Sequence, residues 1–506
     1  MCPANALILS AIFLLSVSGT LVGSVGEEEY NTSRAFNDLL VETTSGWVRG
    51  DYGGVTKGTG KIIYRFRSIP FAEPPVGNLR FEAPVPKRRW NGILDVSPKS
   101  PQCIQGSDPI RATAETKQPA GSADFDDHSP DFLLDEDVIV VSFHYRVGIL
   151  GFLSTGDLAA PGNAGLKDQV LALKWIKENI ARFGGDPNRI TIFGQSAGGA
   201  SVSYLLQTPQ TRGLYRGAIM QSGASICLWG LSRIAQNAAV TVASNLNLTS
   251  TTSQQLVDGL KSVNVETLQN VSTSTMTSGW SSVYSSYRTD PRWCASNGKS
   301  HQALLNGEFN PVPVIIGYNS LEALLNEIPE LLRVWLLTYD VQPSRLVPIS
   351  LNIENFLTRV SVGLQIKTHY FGLGLISISN EEVMEFISDD QFERPIQEIA
   401  HLLAARTPVY FYRFAHEGTL FGVENRTVSG VGHTEELGYL FDFGYDGSEA
   451  DYLTRRQLVR LWTNFAKNRK SHSEEGTPFE QRYMGAQLRR QQRPEIFGNR
   501  PRLTYD

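Results

Sequence analysis

Ile190-Thr191-Ile192-Phe193-Gly194-Gln195-Ser196-Ala197-Gly198 is the stretch on which the fold turns. Its first four residues are apolar or β-branched, as in a strand buried on both faces. The last five read Gly-x-Ser-x-Gly, and a helical run from Ala200 to Leu206 follows. Strand, sharp turn and helix around such a serine make a nucleophile elbow. The glycines Gly194 and Gly198 let the backbone take a strained turn that lifts the Ser196 hydroxyl clear of the sheet. The helix N-terminus adds a field that favours negative charge. Gly-x-Ser-x-Gly alone arises often by chance, and a structural serine is the plain alternative. The strand before it and the helix after it select the nucleophile.

The same alternation runs outward from this point. Val138 to Ser142 is a nearly continuous apolar run and predicts another buried strand. Leu166, Val170, Leu173, Ile176, Ile180 and Phe183 recur at helical spacing, with lysines between them. That helix ends at Gly184-Gly185-Asp186-Pro187, where Gly stops it and Pro forbids its resumption. Val312 to Ile316 and Val409 to Phe414 predict later strands, and Arg455 to Lys467 a helix with Leu458, Leu461, Trp462 and Phe465 on one stripe. Strand and helix in alternation predict an α/β fold with a mostly parallel central sheet flanked by helices. Although 506 residues would suit about three average domains, residues 27–506 read as one large domain.

The net charge of −5 comes from interspersed signs, with no Lys/Arg block. That excludes a nucleic-acid binder or a docker on acidic membranes. At the N-terminus, Ala6 to Val17 is a short apolar run followed by small residues to Gly26 and then Glu27-Glu28-Glu29. This predicts a signal peptide over 1–26, too short to span a membrane as a mature helix. The polar stretch Arg489 to Asp506 predicts no lipid anchor. The chain is therefore expected to be secreted and extracellular, with no membrane anchor. Behind a signal peptide, the sequons at Asn31, Asn247, Asn270 and Asn425 predict surface glycans. Cys2 leaves with the signal, and Cys103, Cys227 and Cys294 remain, an odd number for an oxidising compartment.

A nucleophilic serine needs a base, and the base an orienting carboxylate. In this fold class the order is Ser, acid, His. Six of the eight histidines follow Ser196. His433 lies in the Gly-rich loop Ser429-Gly430-Val431-Gly432-His433 beyond the last predicted strand, but His416 follows the same strand. Glu322 follows the strand Val312 to Ile316, with Glu327 and Asp389 as rivals. Spacing leaves both choices open. The histidines have no metal-ligand spacing, so no metal and no organic cofactor are expected.

Several longer runs bear on the choice. Asn163-Ala164-Gly165-Leu166-Lys167-Asp168-Gln169, Phe183-Gly184-Gly185-Asp186-Pro187 and the elbow itself resemble the type-B carboxylesterase/cholinesterase family. So do Ile69 to Phe81, Tyr145 to Phe152 and Trp462 to Ala466. The family places its acid in Gly-x-x-x-x-Glu, here Gly317 to Glu322, and its base in Gly-x-x-His, here Gly430 to His433. The resemblance therefore implies Ser196, Glu322 and His433 as the catalytic set, an α/β-hydrolase fold, and cleavage of small carboxylic esters through an acyl-enzyme. Gln195, where many members carry Glu, is similar to insect secreted esterases of the juvenile-hormone-esterase-like and venom types. A neutral residue there predicts neutral rather than choline esters.

One departure stands out. The fold class builds its oxyanion hole from the N–H after the nucleophile, here Ala197, and from a Gly-rich turn of His-Gly-Gly type about 80 residues earlier. No His-Gly-Gly occurs in this chain. The corresponding stretch, Thr113 to Gly121, is polar and contains no apolar strand. A block of several tens of residues, with one or two strands, the turn and a cysteine partner for Cys103, is expected to be absent within 104–120. Two functions follow: an ester hydrolase with doubtful activity as written, or a catalytically impaired cholinesterase-like binding or adhesion protein.

Overall fold

Apolar runs of the sequence supply six strands of one seven-stranded sheet, and a pair of arginines the seventh. The computed structural model describes residues 39–98 and 128–468, except 233–234, 277–284, 287–299, 325–327, 329, 349–350, 352 and 424–425. It also describes the strand segments 11–16 and 489–490. The strands are β1 (Ala11–Ser16), β2 (Val138–Ser142), β3 (Ile190–Gln195), β4 (Gly217–Gln221), β5 (Val314–Asn319), β6 (Val409–Phe414) and β7 (Arg489–Arg490). They lie in the order β7-β6-β5-β4-β3-β1-β2. β3, β4, β5 and β6 are mutually parallel, and β7 closes the far edge antiparallel to β6. Gln195 pairs with Gln221 and Asn319 with Phe414, so these strands end at one edge of the sheet.

Side chains alternate between the two faces, as the pleat requires. Ile190, Ile192, Ala218, Met220, Val314 and Ile316 join one core. That core is completed by Leu166 and Leu173 of α1 (Ala164–Asn179), Val202 and Leu205 of α2 (Ala197–Gln207), and Ile396 and Ile399 of α3 (Arg394–Ala404). Phe193, Ile219 and Ile315 point the other way, against Leu458, Trp462 and Phe465 of α4 (Glu449–Asn468). A sheet apolar on both faces and covered on both by helices is the α/β architecture expected from the sequence.

Several boundaries differ from the sequence reading. α2 starts at Ala197 rather than Ala200, because the turn at Ser196 feeds directly into the helix. β5 starts at Val314 and runs past Ile316 to Asn319. β4 was not predicted, since Gly217-Ala218-Ile219-Met220-Gln221 holds only three apolar residues between a Gly and a Gln.

The sequence reading expected one or two strands to be missing from this sheet. The position between β2 and β3 is filled by β1, from the segment read as a leader. β1 is antiparallel to both neighbours, with Ile12 opposite Ser142 on one side and opposite Phe193 on the other. A gap there would leave two facing rows of backbone N–H and C=O groups unpaired inside a covered sheet. Residues 104–120, with Cys103, lie outside the described residues, as do Asn31, Cys294, Glu327 and Asn425.

The motif residues around α1 have a physical role. The Arg146 guanidinium makes a two-pronged contact with Asp168 of α1, Nε to Oδ2 at 2.8 Å and a terminal nitrogen to Oδ1 at 2.7 Å. The Arg146 backbone N–H adds a third bond to Oδ2 at 3.0 Å. Both side chains are buried, so this pair fixes α1 to the loop after β2. Among the described residues, no helix is long and apolar enough to cross a membrane.

Candidate active site

β3 delivers Ser196 at its carboxyl end. The residue has φ 58° and ψ −119°, a conformation that costs a non-Gly residue about 1–3 kcal/mol and persists where surroundings over-determine it. Those surroundings are backbone groups. Ser196 N–H donates to Gln221 O at 2.8 Å, and Ser196 O accepts from Ala200 N at 3.0 Å. The neighbours must be glycine. A Cβ on Gly194 would lie 2.5 Å from the carbonyl carbon of Gly198, and one on Gly223 would lie 2.0 Å from Ser196 O. Ala197 opens α2, so its N–H has no acceptor within the helix.

β5 and β6 deliver the other two groups. Glu322 stands three residues beyond the end of β5, and His433 in the long loop after β6. The two loops are stitched together by backbone: Leu321 N donates to Val431 O at 2.9 Å and His433 N to Glu322 O at 3.1 Å. His433 Nδ1 then lies 2.6 Å from Glu322 Oε2, and His433 Nε2 lies 2.8 Å from Ser196 Oγ. With Nδ1–H donating to the carboxylate, Nε2 is left to accept the serine proton. Glu322 Oε1 accepts from the backbone N–H of Asn319 at 2.7 Å. Phe392, on the five-residue π-helical turn Asp389–Glu393, covers the imidazole with its ring centre 4.8 Å away.

The rivals lie elsewhere. His416 Nε2 is 2.9 Å from Asp451 Oδ1, and that carboxylate also accepts from Tyr439 Oη at 2.7 Å. Burial works against it, yet these bonds and those from Ser448 hold the Asp451 carboxyl below the usual range. Asp389 accepts from Tyr370 Oη at 2.6 Å. Neither of these bonds involves Ser196.

A second carboxylate lies behind the first. Glu436 is fully buried. Its Oε2 accepts from Asn319 Nδ2 at 2.6 Å and its Oε1 from Gln221 Nε2 at 3.2 Å. Gln221 Oε1 accepts in turn from Trp462 Nε1 at 3.1 Å, and Asn319 Nδ2 also donates to Gly432 O at 2.7 Å. Burial, with the charge of Glu322 nearby, pushes Glu436 up to about 7. Asn319, Gln221 and Phe392 were not picked out from the sequence, and Glu436 was noted only as one of the acidic residues after the histidine motif. Gly-x-x-x-x-Glu does include the position of Asn319, and Glu436 lies three residues after His433, so motif context held the only signal.

Gln195 is 3% exposed. Its Nε2 lies 3.5 Å from His433 Nε2, and its Oε1 is buried without a partner among the described residues. Asn247 and Asn270 are exposed. Cys227 is a buried free thiol, pushed up to about 12 by burial.

Three comparisons bear on this arrangement. The Carboxylesterase family model matches residues 37–124 and 119–492. Juvenile hormone esterase of Tribolium castaneum is 32% identical over 86% of this chain and 86% of its own length. Human cocaine esterase is 31% identical over 84% of this chain and 83% of its own. A crystal structure of juvenile hormone esterase from Manduca sexta, with OTFP covalently attached, superposes with a TM-score of 0.75 at 26% identity, covering 86% of this chain and 91% of that one. The Tribolium alignment runs over 517 positions, whereas 86% of this chain is about 435 residues, so about 80 positions stand opposite gaps in it. With the α/β-hydrolase sheet and this family match, the chain belongs to the carboxylesterase family and is a carboxylic-ester hydrolase.

Proposed function

We propose that this protein hydrolyses small neutral carboxylic esters with Ser196 as nucleophile, His433 as general base and acid, and Glu322 as the group that orients and charge-balances the imidazole. The observation that supports this reading most is the placement of the His433 ring, one nitrogen 2.8 Å from Ser196 Oγ and the other 2.6 Å from Glu322 Oε2. His433 takes the proton as Ser196 attacks the ester carbonyl, then gives it to the leaving alcohol. Water repeats the cycle on the acyl-enzyme. The Ala197 N–H, at the start of α2, is the donor for the oxyanion. The test is a phosphonate probe and two variants. The probe should label Ser196, and in a version of the chain that carries the oxyanion turn Ser196→Ala and His433→Ala should each lose about 10⁴-fold or more of aryl-ester turnover. Label on another residue, or a Ser196→Ala variant with most of its turnover, would refute the assignment.

The chain is also proposed to be a slow esterase as written. Loss of one oxyanion donor costs about 10²–10³-fold in kcat, and the sequence has no His-Gly-Gly turn to supply a second. The gapped alignment with the Tribolium relative supports a deleted block, which we assign to 104–120. A binding or adhesion role is the second reading, favoured by that missing turn alone. Export is proposed from the apolar N-terminal run, with glycans on the exposed Asn247 and Asn270. Expression in insect cells tests it, since the protein in the medium should lose apparent mass with a glycosidase.

A further inference from the structure

We infer that Gln195 is a positioning residue for the second half of the reaction, where its carboxamide holds the water that cleaves the acyl-enzyme. The inference rests on the reading of Ser196 as nucleophile.

Gln195 ends β3, immediately before Ser196, and is 3% exposed. A buried carboxamide is expensive unless its polar atoms are used, at about 1–3 kcal/mol for each group left unsatisfied. Its nitrogen reaches one group, His433 Nε2 at 3.5 Å, which is the long limit of a hydrogen bond. Among the described residues its oxygen has no protein partner. A side chain that satisfies nothing else, beside the base, fits a role in the chemistry better than one in packing.

The chemistry supplies the missing partner. Before acylation, His433 Nε2 accepts from Ser196 Oγ, 2.8 Å away. After acylation Ser196 Oγ has no proton, and Nε2 needs another donor. A water in that place gives one hydrogen to His433 Nε2 and the other to Gln195 Oε1. Its lone pair is then directed at the acyl carbonyl carbon. The water oxygen bonds to that carbon as its proton passes to His433 Nε2. The tetrahedral intermediate collapses, the carbon–Oγ bond breaks, and His433 returns the proton to Ser196 Oγ. Carboxylic acid leaves and the free enzyme is restored. Before acylation the substrate carbonyl and leaving group occupy this region, so Gln195 Oε1 bears on hydrolysis of the intermediate more than on its formation.

The experiment compares the parent chain with Gln195→Met, Gln195→Ala and Gln195→Glu. Each is mixed rapidly with p-nitrophenyl acetate and followed by stopped flow and intact mass. Gln195→Met and Gln195→Ala should form the acetyl-enzyme at the parent rate and clear it about 10- to 100-fold more slowly, as for a misplaced reactant. A lasting burst and an acetyl adduct on Ser196 should be visible. Gln195→Glu keeps an acceptor oxygen and should retain most of the clearance rate. Phosphonate labelling at the parent rate reports that each variant has a folded site. Equal slowing of both steps, or clearance at the parent rate in both truncated variants, overturns the proposal. Absence of an acetyl adduct on Ser196 in the parent would instead overturn the reading on which it rests.

Discussion

Asn319 and Glu436 meet at 2.6 Å, amide nitrogen to carboxylate oxygen, at the carboxyl end of β5. The backbone N–H of the same asparagine donates to Glu322 at 2.7 Å, and its side chain also donates to Gly432 O in the histidine loop. One residue therefore ties Glu322, the buried carboxyl behind it and the loop that carries His433. Asn319→Ala should lower kcat/KM for an aryl ester by about 10- to 100-fold through misplacement of Glu322 and His433. It should also cost about 1–3 kcal/mol in urea unfolding for each buried acceptor left unpaired. A variant with parent kinetics would show that the pair is held by the loops alone.

Glu436 makes stability fall as pH rises. Its ordinary value is 4.5 and its value in the fold is about 7. Between these limits the folded chain holds one more proton than the unfolded chain. The contribution is fully present below 4.5 and lost as pH rises to about 7. Two to three units correspond to on the order of 3 kcal/mol. Glu436→Gln removes the titration, so its unfolding free energy should fall less than the parent's between pH 5 and pH 7.5. Parallel profiles would exclude Glu436 as the source.

The Arg146–Asp168 contact should behave as a buried pair. Asp168→Asn leaves a guanidinium without its countercharge and should cost about 3–5 kcal/mol. Arg146→Met with Asp168→Leu should cost less than the sum of the single changes. Additive losses in denaturant unfolding would show the two side chains to be independent.

Restoring the missing block should raise activity. A version with a family-like strand and a His-Gly-Gly turn inserted before Gly121 should gain about 100-fold or more in kcat, the worth of an oxyanion donor. A parent chain that already turns over at the rate of the restored one would mean that some other loop donates to the oxyanion.

Substrate charge is the remaining test. Gln195 puts no carboxylate beside Ser196. Acetylcholine should therefore have a lower kcat/KM than its neutral carbon isostere, because a cation gains no charge partner in exchange for its hydration. The reverse order would require an aromatic or anionic site for the cation.

Legibility followed locality. Ser196 was readable because strand, turn and helix stand within one short segment. β5, β6 and α4 announced themselves through β-branched runs and a helical stripe. His433 and Glu322 sit 237 and 111 residues from their respective partners, Ser196 and His433. Spacing could not separate them from His416 or Asp389, and only the family motifs did. Gln221 and Asn319 were invisible because a polar residue at a strand end looks like the start of a loop, and Glu436 stood only as an acidic residue after the histidine motif. β1 carries two readings at once. A short apolar run has the same composition whether it feeds the export machinery or lies in a sheet.

The place of β1 ties the sheet to the order of synthesis and to concentration. Its partner Ser142 emerges from the ribosome more than a hundred residues after Ile12, so the strand beside Ser196 closes late and at the entropic cost of a long loop. Cleavage of the single peptide bond after Gly26 would turn that strand into a separate bound peptide. The integrity of the sheet would then obey mass action, and dilution alone would open it.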